Sequence, residues 1–184
     1  MLEHVTIESR WELHDAAWKI DFSSRKEAEV KKGEILSIYI RPEPGQPMLA
    51  MDQVRAVPGR GLEGDYYYSN ATSANLQDPS RELTLIELET LQAAKRDYEL
   101  TLELGESRRN LITRNVPLNH LVGKEFQVGE VRLMGLRLCE PCSHLASLTD
   151  KPVVKPLVHR GGLRAKILSE GFIRVGDSIT IPEE

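Results

Sequence analysis

Residues 130–138 read Glu-Val-Arg-Leu-Met-Gly-Leu-Arg-Leu, and the alternation of apolar residues changes phase within this stretch. Up to Leu133 the apolar positions are odd-numbered, Val131 and Leu133, whereas from Met134 onward they are even-numbered. Successive side chains of a strand point to opposite faces, so the change of phase moves the apolar face from one side to the other. A change of this kind beside a glycine predicts a β-bulge, which bends a strand at the corner of a β-barrel.

Short extended segments separated by Pro- and Gly-containing turns continue on both sides of this stretch. Strands are predicted at 35–40, 53–57, 82–86, 110–113 and 125–128, a strand or helical turn at 163–168, and a closing hairpin-like pair at 173–181. One helix is predicted at 87–99, with one face formed by Leu88, Leu91, Lys95 and Tyr98, and a loop at 68–81. The predicted fold class is α+β and mainly β, with a barrel-like antiparallel sheet and a few helices.

The first 33 residues differ in sequence pattern from the remainder of the chain. Ile7, Trp11 and Trp18 recur at helical spacing, and the two tryptophans of the chain both lie here. We therefore predict a helical N-terminal extension at residues 1–33 and one domain at residues 34–184. The tryptophans are expected to pack the extension onto the domain or to form a surface for a partner.

The composition, with 40% hydrophobic and 28% charged residues, is typical of a soluble globular protein. No apolar run approaches the ~20 residues that span a bilayer. Residues 105–181 carry 12 Lys and Arg against 7 Asp and Glu, although the whole chain has a net charge of −4. Aromatic residues are sparse in this basic half, which favours a small anionic ligand over nucleic acid. The two cysteines and the mixed polar start at Met1–His4 predict a cytoplasmic protein.

Both cysteines, Cys139 and Cys142, lie in the run Leu-Cys-Glu-Pro-Cys-Ser-His that ends at His144. Thiolates are strong nucleophiles and soft metal ligands, so this run is the first candidate for chemistry. Two cysteines cannot complete a four-cysteine zinc or iron–sulfur site. The residues leave open a nucleophile, a redox pair, a zinc site shared with His120 and His159, or two inert thiols.

Two basic runs are candidates for binding an anion. Arg108–Asn110 combines paired guanidinium groups with an amide, and guanidinium binds phosphate in a bidentate manner. His159–Arg164 contains two adjacent glycines, which allow the backbone to approach a ligand. We predict that Arg109, Asn110 and Arg164 share one ligand pocket with Cys142.

The order of these motifs along the chain resembles that of the MOSC domain, which is named after the C-terminal domain of molybdenum cofactor sulfurases. The matching segments are Gly61–Asp65, Leu83–Ile86, Gly105–Leu111, Leu121–Gly129, Cys139–Leu145, Gly161–Arg164 and Gly176–Asp177. The resemblance covers roughly residues 35–181, which leaves the extension outside it.

The resemblance implies a barrel-like fold that binds a molybdenum–pterin cofactor (molybdopterin). The cysteine of stand-alone bacterial members follows a proline, which makes Cys142 the expected catalytic residue and molybdenum ligand, with Cys139 as a secondary candidate. Arg109 and Asn110 match the family's Arg-Asn element near the cofactor phosphate. Further residues expected to bind the cofactor are His144, Arg160, Gly162 and Arg164. The chain departs from the family at Tyr66–Tyr68, where many relatives have a histidine or another polar residue.

Three hypotheses for function follow from the resemblance. The first is a molybdenum-dependent oxidoreductase that reduces small N-hydroxylated or N-oxide molecules. Because the chain has no flavin motif and too few cysteines for an iron–sulfur cluster, its electrons must come from a donor protein. The second is a carrier that holds a persulfide on Cys142 or hands over the cofactor. Lacking a pyridoxal-phosphate domain, it would depend on a sulfurtransferase partner. The third is a non-catalytic interaction module. The oligomeric state is left open.

Overall fold

The protein is described from a computed structural model, which covers residues 32–70 and 78–181. The predicted helical extension lies outside these residues apart from its last two positions, so it and its boundary stay predictions. Part of the predicted loop at 68–81, residues 71–77, also lies outside them.

Strands dominate the described residues. They are β1 (Gly33–Ile40), β2 (Leu49–Met51), β3 (Gln53–Val57), β4 (Gly61–Leu62), β5 (Leu83–Glu87), β6 (Leu111–Arg114), β7 (Glu125–Val128), β8 (Val131–Leu138), β9 (Leu163–Ile167), β10 (Gly171–Arg174) and β11 (Ser178–Thr180). The helices are α1 (Tyr66–Ser69), α2 (Leu88–Tyr98), α3 (Ser143–Thr149) and α4 (Val154–Leu157), and 3-10 turns occur at Pro79–Arg81, Leu104–Ser107 and Leu118–Leu121.

Seven strands close into a barrel in the order β1, β11, β7, β8, β9, β5, β6 and back to β1, and β2 adds to β1. All neighbouring pairs are antiparallel except β5 and β6, which are parallel. A parallel pair needs a crossover connection, and α2 supplies it between the two strands. The mainly β, barrel-like fold and its mainly antiparallel sheet are thus confirmed.

The predicted bulge is present in β8. Its register against β9 shifts between Gly135 and Arg137. Gly135 also lies against the turn before β7, since a Cβ on this residue would come within 2.0 Å of the carbonyl oxygen of Leu121. The change of phase in the sequence therefore marks the point where the strand bends.

The predicted hairpin-like pair at 173–181 is wrong. β10 pairs with β3 in a separate sheet of order β10-β3-β4, whereas β11 pairs with β7 and β1 and so closes the barrel. The turn between them is held by other elements, because Gly176 N donates to Ile35 O. Alternation within a short segment indicates a strand but not its partner.

The sheet is buried on both faces where β5 and β6 meet. Leu85 and Leu111 belong to the apolar cluster inside the barrel, while Ile86 and Ile112 belong to a second cluster outside it. The helices α2, α3 and α4 contribute Leu91, Leu145 and Leu157 to this outer cluster. It therefore holds α3, the helix that follows Cys142, against the barrel.

Several local predictions need adjustment. The helix at 87–99 is present as α2, but its buried face consists of Thr90, Leu91 and Ala94, while Lys95 and Tyr98 are exposed. The ambiguous segment at 163–168 is the strand β9. The short helices α1, α3 and α4 were not predicted, because none is long enough to show a helical period. No helix in the described ranges is long and apolar enough to cross a membrane.

Gly162, which precedes β9, lies very close to β5, and its substitution tests whether this close approach is required. Its φ is +109°, and a Cβ would come within 2.0 Å of the carbonyl oxygen of Leu85. Gly162→Ala should therefore lower the free energy of unfolding by about 3 kcal/mol or more, from backbone strain together with overpacking. Gly176→Ala is the matched control, since its φ is +89° and its surroundings are open, so about 1–2 kcal/mol is expected. Urea unfolding followed by circular dichroism measures both, and equal losses would contradict the close approach.

Glu87 predicts a pH dependence of stability. Burial raises the pKa of this carboxyl group, although it accepts a hydrogen bond from Leu118 N at 2.6 Å. A pKa that is raised in the folded state contributes stability at low pH, and this contribution is lost as pH rises through the folded pKa. Glu87→Gln keeps the acceptor and removes the charge, so it should raise the free energy of unfolding at pH 7 and have less effect at pH 4. Glu43→Gln, at an exposed turn, should change neither value. A less stable Glu87→Gln protein at pH 7 would count against this account.

Candidate functional site

A cavity on the outer face of the barrel gathers most of the residues expected to act. It encloses about 150 Å³, and about 730 Å³ when its open mouth is included. It is lined by Arg41, Met48, Asp65, Tyr67, Arg81, Thr84, Arg108, Arg109, Asn110, Cys139, Cys142, His144, Leu145, Leu148 and Arg164. Thr84 and Arg164 face it because they alternate with barrel-facing leucines on β5 and β9.

Arg109 is buried at the back of this cavity, with 6% of its surface exposed. Its Nε donates to Gly161 O at 2.9 Å, Nη1 to Ser107 O at 3.2 Å, and Nη2 to Cys139 O at 2.9 Å. The guanidinium group thus joins the turn before β6, the end of β8 and the turn before β9. Its hydrogen bonds are to the backbone, which makes it a positioning residue for the cysteine segment.

Asn110 also has its amide group occupied by protein atoms. Its Oδ1 accepts from Thr84 N at 3.1 Å and from Thr84 Oγ1 at 2.8 Å. Its Nδ2 donates to Tyr39 O at 3.1 Å and lies 3.4 Å from Asp65 Oδ2. Asn110 therefore joins β5, β1 and the residue that caps α1, and it fixes the floor of the cavity.

The two cysteines occupy different environments. Cys139 is buried, with 1% exposed, and its backbone N donates to Gly162 O at 2.7 Å. Cys142 is exposed and immediately precedes α3, where its carbonyl oxygen accepts from Ala146 N. Leu145 anchors α3 in the outer cluster, so the helix holds Cys142 at the cavity. The flanking strands β8 and β9 are antiparallel, which is not the βαβ setting of a thioredoxin-like redox pair.

The cavity carries a strong excess of positive charge. Among the described residues, five arginines line it against one lining carboxylate, Asp65, and one of the arginines, Arg81, is paired with Asp78 at 3.1 Å. Asp65 is buried and accepts hydrogen bonds from Arg41 N and Tyr67 N. Clusters of cations in a partly buried cleft raise the local concentration of anions, so this cavity is suited to an anionic ligand.

Burial lowers the pKa of two of these arginines, Arg109 and Arg108. It lowers the pKa of Arg109 from its usual value, and the positive charge of Arg164 lowers it further. Burial also lowers the pKa of Arg108, and Arg41 adds to that effect while Asp65 opposes it. A buried cation without a carboxylate partner is costly, and an anion bound in the cavity would offset this cost.

The cavity brings together Cys142, Cys139, His144, Arg109, Asn110 and Arg164, but neither Arg160 nor Gly162 lines it. Arg160 donates to Pro156 O and lies 3.6 Å from Asp97, on the side of α2 and α4. Gly162 packs against β5, as described above. His159 is exposed and pairs with Glu140. Among the described residues, no group of three or more His, Cys, Asp or Glu is arranged to hold a metal ion, which leaves the zinc alternative without support.

Sequence reasoning missed several cavity residues, chiefly Arg41, Asp65, Tyr67 and Arg81. Asp65 belongs to the Gly61–Asp65 segment that matches the family, but the sequence does not show that it caps α1. Arg41 directly follows β1, and a charged residue at the end of an apolar strand was the available signal. Tyr67, in the tyrosine run that departs from the family, contributes an aromatic wall to the cavity.

The fold and the site define a β-barrel protein that places an exposed thiol beside a cationic cavity. The MOSC domain model matches residues 72–180, which is more than half of the 184-residue chain. The chain therefore belongs to the MOSC domain family, and the resemblance drawn from its motifs is confirmed.

Solved structures share this fold at low sequence identity. The YuaD protein from Bacillus subtilis superimposes with a TM-score of 0.68 at 16% identity, covering 81% of this chain and 94% of that protein. YiiM from Geobacillus stearothermophilus gives 0.60 at 16% identity, covering 82% and 75%. YiiM from Escherichia coli gives 0.59 at 17% identity, covering 82% and 70%. No curated protein matches the sequence.

Arg109 is expected to act on stability because its hydrogen bonds join three segments. Arg109→Ala would leave the carbonyl oxygens of Ser107, Cys139 and Gly161 without this donor, and we expect a loss of about 3 kcal/mol in the free energy of unfolding. Arg164→Ala removes one hydrogen bond to Ser80 O and should cost about 1 kcal/mol. Urea unfolding followed by circular dichroism measures both. Similar losses in the two variants would mean that Arg109 does not hold these segments together.

Proposed function

We propose that this protein binds a molybdenum–pterin cofactor in the cavity through the thiolate of Cys142. With it, the protein would reduce small N-hydroxylated or N-oxide molecules, using electrons from a separate donor protein. The observation that carries this proposal is the placement of an exposed thiol in a cavity lined by five arginines and one carboxylate among the described residues. Both the donor protein and the reaction are expected in the cytoplasm.

The residues present fit such a cofactor. A thiolate is a suitable ligand for a soft metal centre, and Cys142 is the exposed one of the two free cysteines. The cofactor also carries a phosphate group, and guanidinium groups bind phosphate through two parallel hydrogen bonds. When bound, the cofactor would supply a metal centre that exchanges two electrons with the substrate.

The chain's own groups would organise the reaction around that centre. Arg109 holds the segment of Cys139, and the buried Leu145 holds α3, so that the Cys142 thiolate is presented without a large loss of entropy on binding. Reduction of an N–O bond to an amine consumes two electrons and two protons and releases water. His144 lines the cavity, and its imidazole can relay these protons from solvent.

A second function is favoured by the exposure of Cys142. A persulfide carrier attacks the outer sulfur of a sulfurtransferase persulfide with its own thiolate, and the sulfurtransferase leaves as a thiolate. The carrier later presents its persulfide to an acceptor nucleophile, and an exposed cysteine at the start of a helix allows both encounters. In that case the domain would carry sulfur or cofactor without turnover of its own.

The two cysteines separate these functions from an inert role. Cys142→Ser should abolish molybdenum or persulfide binding, because it removes the exposed thiolate, whereas Cys139→Ser should retain most of it. The measurement is elemental analysis of protein from a host that makes the cofactor, together with mass spectrometry for a persulfide mass increase of about 32 Da. Molybdenum supports the reductase or the cofactor carrier over an inert role, and a persulfide without molybdenum supports the sulfur carrier.

Circular dichroism of both variants is the control for folding. Equal loss of molybdenum or persulfide in the two variants would mean that the two cysteines act together as a dithiol pair. Wild-type protein that contains neither molybdenum nor persulfide would leave the thiols structural and reject both functions.

A further inference from the structure

The four residues from Cys139 to Cys142 form no helix or strand, so the position of this segment depends on contacts from outside it. At one end Cys139 is buried, and its carbonyl oxygen accepts a hydrogen bond from Arg109. At the other end Cys142 leads into α3. Between them lie Glu140 and Pro141, and a proline has no N–H group to donate. The middle of the segment is therefore held chiefly by what the side chain of Glu140 contacts.

Glu140 reaches the turn before β9. Its Oε2 accepts from the backbone N of His159 at 2.9 Å, and its Oε1 lies 3.2 Å from His159 Nδ1. Both oxygens of one carboxylate thus contact one residue, which fixes the orientation of the carboxylate as well as its distance. The backbone contact is present whichever ring nitrogen of His159 carries the proton. We call these two contacts the Glu140–His159 clamp.

The turn that holds the other half of the clamp is itself fixed. His159 has a φ of +59°, and its carbonyl oxygen accepts from Asn119 Nδ2 at 2.8 Å. The next residue, Arg160, donates from its backbone N to Leu157 O at 3.1 Å, and Leu157 is buried in the outer cluster. A left-handed conformation at a non-glycine residue persists only where its surroundings determine it. The turn is therefore a firm support for Glu140.

The same turn also packs against the residues on either side of Glu140. A Cβ on Gly161 would come within 2.5 Å of Cys139 O and 3.1 Å of Pro141 Cδ. The turn and the cysteine segment therefore lie side by side with no room for a further carbon atom. The ring of Pro141 restricts the backbone immediately before Cys142, so an anchor at Glu140 is transmitted to the thiol two residues later.

The clamp lies at the surface, which limits what it contributes to the stability of the fold. The side chains of His159 and Glu140 are 81% and 42% exposed. Exposed pairs of this kind add little to the free energy of unfolding. Their effect is expected to be local, on the segment that they hold.

We propose that Glu140, through its clamp with His159, is a positioning residue for Cys142. It holds the cysteine segment so that the Cys142 thiolate faces the cavity while Cys139 stays buried. Glu140 does not line the cavity, so it acts through the segment and not on the ligand. The inference rests on the proposed function, in which Cys142 ligates the metal, and a backbone fixed beforehand loses less entropy when the thiolate binds.

The first test uses the full chain without cofactor and measures how fast iodoacetamide labels each cysteine, with the two sites resolved by fragmentation mass spectrometry. In the wild type Cys142 should be labelled and Cys139 protected. Glu140→Ala should raise the labelling rate of Cys139 about tenfold, because the segment opens locally more often once the clamp is lost. The urea midpoint should change little. Unchanged protection of Cys139 in this variant would overturn the proposal.

Two variants serve as controls. Glu140→Gln keeps an acceptor oxygen for the backbone N of His159 and should restore labelling close to that of the wild type. Glu125→Ala removes a carboxylate of similar exposure, 45%, from its pair with Arg132 on β7 and β8, and should label as the wild type does. Faster labelling of Cys139 in either control, to the same degree as in Glu140→Ala, would show a general effect of lost charge and reject the clamp.

Glu140→Asp covers the case in which Glu140→Ala fails to fold. It keeps the charge, but its shorter side chain cannot make both contacts with His159. Faster labelling of Cys139 in this variant supports the clamp, and wild-type protection opposes it.

The second test measures molybdenum in protein from a host that makes the cofactor. Glu140→Ala should retain about fivefold less molybdenum than the wild type, and Glu140→Gln should retain most of it. Full retention by Glu140→Ala would reject the positioning role and leave the proposed function standing. A wild type without molybdenum, combined with faster labelling of Cys139 in Glu140→Ala, would reject the proposed function and leave the clamp standing.

Discussion

The hydrogen bonds of the buried Arg109 guanidinium group are the interaction on which the site depends. They bring three backbone segments together at one point: the turn before β6, the end of β8 and the turn before β9. A planar group with five donors in fixed directions can make these contacts at once, whereas a lysine could not. Because the charge is buried and no described carboxylate pairs with it, the arrangement is costly on its own and is well matched to an anion nearby. The stability of the barrel and the shape of the cavity are therefore linked through one residue.

The arginines of the cavity differ in the hydrogen-bond partners that their donors have. Arg109 and Asn110 use their hydrogen bonds within the protein, so they shape the cavity and fix the cysteine segment. Within the described ranges, Arg41 and Arg108 keep buried donors that lack a hydrogen-bond partner. The Arg-Asn pair found in the sequence therefore shapes the cavity through contacts within the protein.

The sheet also explains how a short helix can hold an exposed thiol in place. β5 and β6 bury apolar residues on both faces, and the outer cluster extends to Leu145 of α3. Seven residues of helix would not be stable alone, so α3 depends on this packing. Cys142 is exposed, whereas Leu145, three residues later, is buried. The thiol is therefore accessible while the backbone that carries it is held in place.

The sequence by itself determined the mainly β fold, the bulge at Gly135, the helix between β5 and β6, and the segment that carries the thiols. These features depend on local period, glycine and residue chemistry, which are readable along the chain. It did not determine that β10 and β11 belong to different sheets, because alternation is the same whichever strand lies alongside. Nor did it place Arg160 and Gly162 outside the cavity, or Arg41 and Asp65 inside it. Those placements depend on which strand ends and turns meet across the barrel surface, and only the closed tertiary structure brings residues 41, 108 and 142 to one cavity.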